Sequence, residues 1–167
     1  MSLDLYIIAP EPVVRKGTGV FVRNNGRTEE LATIEEVRKY FPDADIGNIK
    51  EQEFLEDYVW HENITHNMNT MAMHCPVGEI SLYEYLWRPE EIGFVKVTPE
   101  YVSGLTQGYL FLKSHKDELL QYNPQIDPET GQSWGSYDLL LNFCLSLVNC
   151  LLTLDYDHAD YGIEASR

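Results

Sequence analysis

The chain has 167 residues, and its hydrophobic fraction of 44% is sufficient for one domain with its own core. Its 27 acidic and 12 basic residues give a formal charge of -15. That balance argues against binding the phosphate backbone of DNA or RNA, so we expect no direct nucleic-acid partner.

The first elements have the pattern of a strand, a hairpin and a short helix. Alternating apolar and polar residues predict a strand over residues 3 to 9, which Pro10 ends. An Asn-Asn-Gly sequence at residues 24 to 26 predicts a β-hairpin, because Asn and Gly tolerate the positive φ of a tight turn. Thr33 then predicts the N-cap of a helix that stops at Pro42.

A strongly acidic segment follows the hairpin. Residues 28 to 62 carry eleven acidic and three basic residues, and we expect the part from 43 to 59 to be irregular. The acidic excess is either a solvated face that keeps the protein in solution or a patch offered to a basic partner.

The middle of the chain is predicted to be helical. Apolar residues recur at helical spacing from residue 65 to 75, and Asn63 or Thr65 could cap that helix. A capping-box sequence at Ser81 predicts a second, short helix that Pro89 closes.

A longer helix is predicted from Pro99 to about Gln121, where an Asn-Pro pair ends it. Gly104 and Gly108 lie on one face of this helix. The absence of side chains there predicts close approach of another helix within the protein.

The last predicted helix runs from about residue 137 to 154, is capped by Ser136, and is apolar almost all round. It must therefore be buried, yet it is too short and too often interrupted to span a bilayer. It carries a narrow uncharged stripe, which predicts a face under a loop or a homodimer contact: Asn142, Ser146, Asn149 and Thr153.

The final residues, 161 to 166, can form a closing strand beside the first one. The predicted fold class is therefore α+β. We expect a small sheet formed from the N-terminal strand, the hairpin and the C-terminal strand, packed against a helical middle, in a single domain.

The N-terminal sequence lacks a basic leader and a cleavage site, so we expect a cytoplasmic protein with no membrane partner. Its three cysteines are odd in number and include no C-x-x-C pair. We expect them to be reduced and buried rather than disulfide-bonded.

All three tryptophans lie in short stretches that mix aromatic, polar and backbone-breaking residues, around residues 60–67, 86–91 and 131–137. Such stretches supply a flat apolar face, hydrogen-bonding groups and a cation, which together orient a ligand in a concave site. The predicted ligand-binding residues are Asn63, His66, Asn67, Trp87, Arg88, Trp134 and Tyr137.

No catalytic, cofactor or metal motif accompanies these stretches, and we expect neither a cofactor nor a metal. His61 and His66 are five residues apart, whereas a zinc-binding helix needs histidines four apart on one face. Arg88 has two open interpretations, an anion clamp or an ion pair with one of the many acids.

The sequences NITHN at 63–67, LWRPEE at 86–91 and WGSY at 134–137, together with the terminal Ser166-Arg167, resemble a set found in uncharacterised proteins of bacteriophages and prophages. The resemblance covers most of the chain, although residues 43–57 and 125–131 are less typical. It implies an accessory protein of a phage or prophage in the host cell, and it implies no particular chemistry.

Three functions stay open at this point. The first is a non-catalytic binding protein for a polar small molecule or peptide, at the site named above. The second is an acidic inhibitor of a host nucleic-acid-binding or defence factor, an anti-defence role. The third is an enzyme that uses His66 as a general base.

Overall fold

The computed structural model of the protein describes residues 2–24 and 27–166. The strands are β1 Ser2–Gly17, β2 Phe21–Asn24, β3 Arg27–Glu30, β4 Gln52–Thr65, β5 Pro76–Val77, β6 Ile80–Ser81, β7 Phe94–Lys96 and β8 Gly162–Ser166. The helices are α1 Ile34–Tyr40, α2 Asn69–Met73, α3 Leu82–Leu86, α4 Arg88–Ile92, α5 Pro99–Ser114, α6 Lys116–Leu119 and α7 Tyr137–Thr153, with 3-10 turns at His66–Met68 and Leu120–Tyr122.

The main sheet is antiparallel, with the strand order β4-β1-β8-β7. The closing strand lies beside the first one, where Asp4 pairs with Ser166 and Ile8 with Gly162. Together with the helices, this sheet confirms the predicted α+β class. Of the terminal Ser166-Arg167 pair in the resemblance, Ser166 ends β8 and Arg167 lies outside the described residues.

The predicted hairpin is present, but its place in the sheet was predicted wrongly. β2 and β3 pair with each other from Phe21 opposite Glu30 to Asn24 opposite Arg27, and they form a separate two-stranded sheet. The main sheet instead contains β4 and β7, which the sequence interpretation did not include. Residues 25 and 26 of the predicted turn lie outside the described residues.

The irregular segment predicted for 43–59 is confirmed for 43–51 but is wrong from residue 52 onward, where the long edge strand β4 begins. An arginine on the neighbouring strand compensates part of the acidic charge of this segment. Arg15 Nε on β1 donates to Glu56 Oε1 at 2.8 Å, and the Arg15 guanidinium also contacts Glu30. Burial alone would raise the pKa of Glu56, but hydrogen bonds from Tyr58 and Arg15 outweigh it and lower that pKa.

β1 is more than twice as long as predicted, since its prolines do not end it. Pairing between β1 and β4 shifts register between Ile8 and Val13, and Pro10 and Pro12 fall in that irregular stretch. A proline there removes no ladder hydrogen bond, so β1 stays continuous and its pairing with β4 resumes at Val13.

Local chemistry explains most of the helix boundaries. Thr65 caps the turn at 66, as predicted, by accepting a hydrogen bond from Asn67 N. Ser81 makes no side-chain capping bond, and Pro89 lies in the first turn of α4 instead of closing α3. The helix predicted to reach Gln121 ends at Ser114, where His115 leaves helical backbone angles.

The two glycines of α5 allow the predicted close approach. A methyl group at Gly108 would lie 2.9 Å from Leu82 Cδ1 of α3, and one at Gly104 would overlap the Tyr85 ring of the same helix. Without Cβ atoms, α5 can pack against α3 at this short distance.

α7 crosses the core, and its apolar side chains contribute Leu140, Leu147 and Leu151 with no exposed surface. Its uncharged stripe is mostly exposed to solvent, apart from Ser146, which accepts from Trp60 Nε1 at 2.9 Å. None of the helices in ranges 2–24 and 27–166 is long and apolar enough to cross a membrane.

The cysteines of the described chain are free thiols. Cys75 and Cys144 are buried and Cys150 is half-buried. Burial raises the pKa of Cys75 to about 12 and also raises that of Cys144, which keeps both thiols protonated.

Candidate functional site

The three tryptophan-containing stretches converge at the end of β4. The NITHN residues contact the LWRPEE stretch through His66 Nε2, which lies 3.1 Å from Glu90 Oε2. They contact the WGSY stretch through Asn67 Nδ2, which donates to the Trp134 carbonyl oxygen at 3.1 Å. The segment at the end of β4 therefore contacts two stretches that are distant from it in the sequence.

The alternation of side chains along β4 divides that segment into two sides. Asn63 and Thr65 lie on the side that faces a surface cavity, and Asn67 in the following turn lines the same cavity. Ile64 lies in the core, and His66 is directed to Glu90.

The cavity has a volume of about 750 Å³, within the range of about 300–1,000 Å³ typical of small-molecule sites. Most of its side chains carry a hydroxyl or an amide. Its lining in the described part of the chain is Ser2, Arg23, Asn63, Thr65, Asn67, Gln132, Ser133, Trp134, Gly135, Ser136 and Leu139.

Two asparagines in the lining are held in defined orientations. Asn63 Nδ2 donates to Asp4 Oδ1 at 3.0 Å, and Asn67 Nδ2 donates to the Trp134 carbonyl. A carboxylate and a carbonyl can only accept, so the amide nitrogens must face them. With Nδ2 committed in this way, Oδ1 is the side-chain acceptor that each of these lining residues has left for a ligand.

Trp134 gives the cavity its aromatic surface. Its side chain is 63% exposed, which is unusual for so large an apolar group. The next residue, Gly135, has a φ of 115°, and a methyl group there would lie 2.7 Å from the buried Met68 Sδ. The glycine thus lets the loop carrying Trp134 approach the turn after β4.

The N-terminus of α7 also borders the cavity, but its first turn is already occupied. Ser136 Oγ accepts from Leu139 N at 3.1 Å, and Asn123 Oδ1 accepts from Tyr137 N at 2.8 Å. These side chains satisfy N–H groups that would otherwise attract an anion.

Of the seven predicted site residues, three line the cavity: Asn63, Asn67 and Trp134. Trp87 is 1% exposed and its ring stacks on Tyr83 at 5.6 Å, so it belongs to the core. Tyr137 is also buried, and its hydroxyl donates to the Leu112 carbonyl at 2.5 Å. Trp87 and Tyr137 are therefore core residues, and the sequence around them did not indicate this.

Arg88 is exposed, does not line the cavity, and forms no ion pair within residues 2–24 and 27–166. The ion-pair interpretation of Arg88 is therefore wrong for this part of the chain. An anion clamp formed by Arg88 would lie away from the cavity.

His66 and Glu90 form a mostly buried pair on the other side of the segment. Nδ1 of His66 and Nε1 of Trp87 are buried and have no hydrogen-bond partner among the described residues. No serine, threonine or cysteine of that part of the chain is bonded to His66 as a nucleophile would be to its base.

The histidines near His66 in sequence do not cluster around it. His61 Nε2 lies 3.1 Å from Asp4 Oδ1, and His74 Nδ1 lies 2.8 Å from the Thr70 carbonyl. No group of three His, Cys, Asp or Glu side chains in the described ranges is arranged to hold a metal ion.

Several lining residues were missed by the sequence interpretation. Gln132 and Ser133 directly precede Trp134 and could have been included on that ground. Ser2 reaches the cavity because it pairs with Thr65, and Arg23 because the hairpin folds toward it. The local sequence indicates neither the pairing of Ser2 with Thr65 nor the position of the hairpin.

No protein-family model matches the chain, and no curated protein and no solved structure matches it either.

Proposed function

We propose that the protein binds a polar small molecule or a short peptide in the cavity beside Trp134. The observation that carries this proposal is the cavity itself. It unites Asn63 and Asn67 at the end of β4 with Trp134 from a loop 67 residues further along the chain.

The chemistry of the lining favours binding without catalysis. In the described part of the chain, the lining has serine and threonine hydroxyls but no histidine, cysteine or carboxylate, so it lacks the general base that would activate a hydroxyl as a nucleophile. The His66–Glu90 pair is directed away from it. Fixed amides and an exposed indole instead supply orientation and contact area.

The biological setting in this proposal comes from the motif resemblance. The protein would act as an accessory protein of a phage or prophage in the cytoplasm of the host. A host metabolite or a host peptide is then available as its ligand.

A thermal-shift screen against nucleotides, sugars, amino acids and short peptides tests the proposal. A ligand present at 100 times its Kd stabilises the native state by about 2.7 kcal/mol, which raises the Tm measurably. We expect at least one compound to raise the Tm of the wild type.

Two variants make the screen specific for the cavity. Trp134→Ala should abolish the shift. Ile126→Ala should keep it, because Ile126 lies in the same loop, is 66% exposed and does not line the cavity. Equal loss of the shift in both variants would argue against the cavity as the site.

A second candidate function, an acidic inhibitor of a host protein, is favoured by one surface. Val14 on β1 and Leu55 on β4 are cross-strand neighbours, and they are 58% and 73% exposed. Glu53, also exposed, lies on the same strand as Leu55. Although Glu53 lies 3.9 Å from Lys16 Nζ, an exposed apolar pair beside acidic side chains offers a basic partner protein both apolar contact and charge complementarity.

Pull-down from host lysate at rising salt tests this candidate. An inhibitor should retain a basic partner at low salt and lose it as screening increases, and Leu55→Asp should weaken the capture. Leu152→Asp, on the exposed face of α7, is the matched control. Equal capture by both variants would contradict the assignment of this surface.

A further inference from the structure

We infer that the ligand of the cavity is an uncharged saccharide, an inference that rests on the proposed binding function. Three properties of the lining support it: its charge, its hydrogen-bonding groups and its aromatic surface.

The charges around the cavity act in opposite directions and favour neither sign of ion. The chain carries a formal charge of -15, which repels an anion as it approaches. Within the described lining, Arg23 is the single charged side chain; it repels a cation, and its attraction for an anion opposes the repulsion by the net charge. The first-turn N–H groups of Tyr137 and Leu139, which could have held a phosphate, are bonded to Asn123 and Ser136.

The hydrogen-bonding groups match a ligand that both donates and accepts. Asn63 and Asn67 present Oδ1 acceptors, because their Nδ2 atoms are committed to Asp4 and to the Trp134 carbonyl. Arg23 adds a guanidinium that can only donate. A hydroxyl group donates to the asparagines and accepts from the arginine, so a polyhydroxylated ligand satisfies both kinds of group.

The exposed indole ring of Trp134 favours a ligand that has one flat apolar face. A pyranose ring has one apolar face of C–H groups and a rim of hydroxyls. The exposed indole of Trp134 can cover the apolar face, while the amides and hydroxyls of the lining bond the rim. A nucleobase would stack equally well but offers fewer polar groups at its edge.

The three indole N–H signals in ¹H–¹⁵N NMR provide the test, since each tryptophan has a different environment. Trp134 lines the cavity, whereas Trp60 is bonded to Ser146 and Trp87 is buried. The neutral probes are maltose, lactose, cellobiose and N-acetylglucosamine. The comparison probes are glucose 6-phosphate, glucosamine, adenosine, uridine and trialanine.

At least one neutral saccharide should shift the Trp134 signal saturably and leave the Trp87 signal in place. The phosphorylated and cationic sugars should bind more weakly at low salt. Asn67→Ala should weaken the saccharide about tenfold, the effect of losing about 1.4 kcal/mol of hydrogen bonding. Asn48→Ala, at an exposed position outside the cavity, should bind as the wild type does.

Each negative result of the NMR experiment contradicts a different part of the account. If adenosine, uridine or trialanine shifts Trp134 and no saccharide does, the saccharide inference is overturned and the proposed binding function stands. If saccharides shift Trp87 or Trp60 but not Trp134, the inference is overturned together with the assignment of the cavity. If no probe shifts any indole signal, the saccharide inference is overturned, and the broader thermal-shift screen decides the binding function.

Discussion

Replacing Gly135 by alanine tests how the loop carrying Trp134 is held against the turn after β4. A methyl group at this position would lie 2.7 Å from Met68 Sδ and 3.0 Å from Thr65 Cγ2. Met68 is fully buried, so it cannot move away without disturbing the core. The φ of 115° adds backbone strain for any residue other than glycine.

The matched control is Gly131→Ala in the same loop. Gly131 also has a positive φ, of 67°, but a methyl group there would have no neighbour within 4 Å. Its substitution introduces backbone strain of about 1–2 kcal/mol, partly offset by about 0.4–1 kcal/mol from the restricted unfolded chain. Gly135→Ala adds overpacking of about 1–3 kcal/mol.

Urea unfolding followed by circular dichroism measures both free energies of unfolding. We expect Gly135→Ala to be less stable than Gly131→Ala by at least about 1–3 kcal/mol, the overpacking contribution, because a φ of 115° is also further from the left-handed region than one of 67°. The indole signal of Trp134 should also move in Gly135→Ala and stay in place in Gly131→Ala. Equal stability of the two variants would refute the proposed close contact between this loop and Met68.

Three further predictions concern α7 and the thiols. Leu147→Ala should lower the free energy of unfolding by about 2–5 kcal/mol, because Leu147 is fully buried; a loss below about 1 kcal/mol would contradict its core position. Asn149→Leu should change stability by less than about 0.5 kcal/mol and increase self-association in light scattering, since Asn149 is exposed. Reduced stability instead would indicate that Asn149 is hydrogen-bonded, either inside the site or across a dimer. A thiol reagent at pH 8 should modify Cys75 and Cys144 only after denaturation; rapid labelling of either of these two thiols in the native protein, located by mass spectrometry and distinguished from the half-buried Cys150, would contradict their burial.

The elements with strong local signals were predictable from the sequence. The cap at Ser136 and the apolar run after it predicted α7, and the alternation at the N-terminus predicted the inner part of β1. Gly104 and Gly108 correctly indicated a close approach, because the absence of Cβ atoms on one helix face has few other uses.

The long ribbon of β1 and β4 could not be predicted in the same way. Acidic residues and prolines normally disfavour strands, and here a distant partner, Arg15, and a register shift make them compatible with the sheet. Those compensations are tertiary, so a local interpretation of residues 43–59 missed them.

The candidate site was predictable only in part, for a related reason. Residue type indicated Asn63, Asn67 and Trp134, but the same criterion selected Trp87 and Tyr137, which are buried. An aromatic residue serves a core or a binding surface equally well, and burial decides between them. Arg23 joins the site solely through folding of the hairpin.

A crystal structure of the protein with the strongest ligand from the thermal-shift screen tests the central claim most directly. The account predicts a ligand in contact with the Trp134 ring and hydrogen-bonded to Oδ1 of Asn67. A ligand bound at the His66–Glu90 pair or on the exposed face of α7, with the cavity empty, would contradict it.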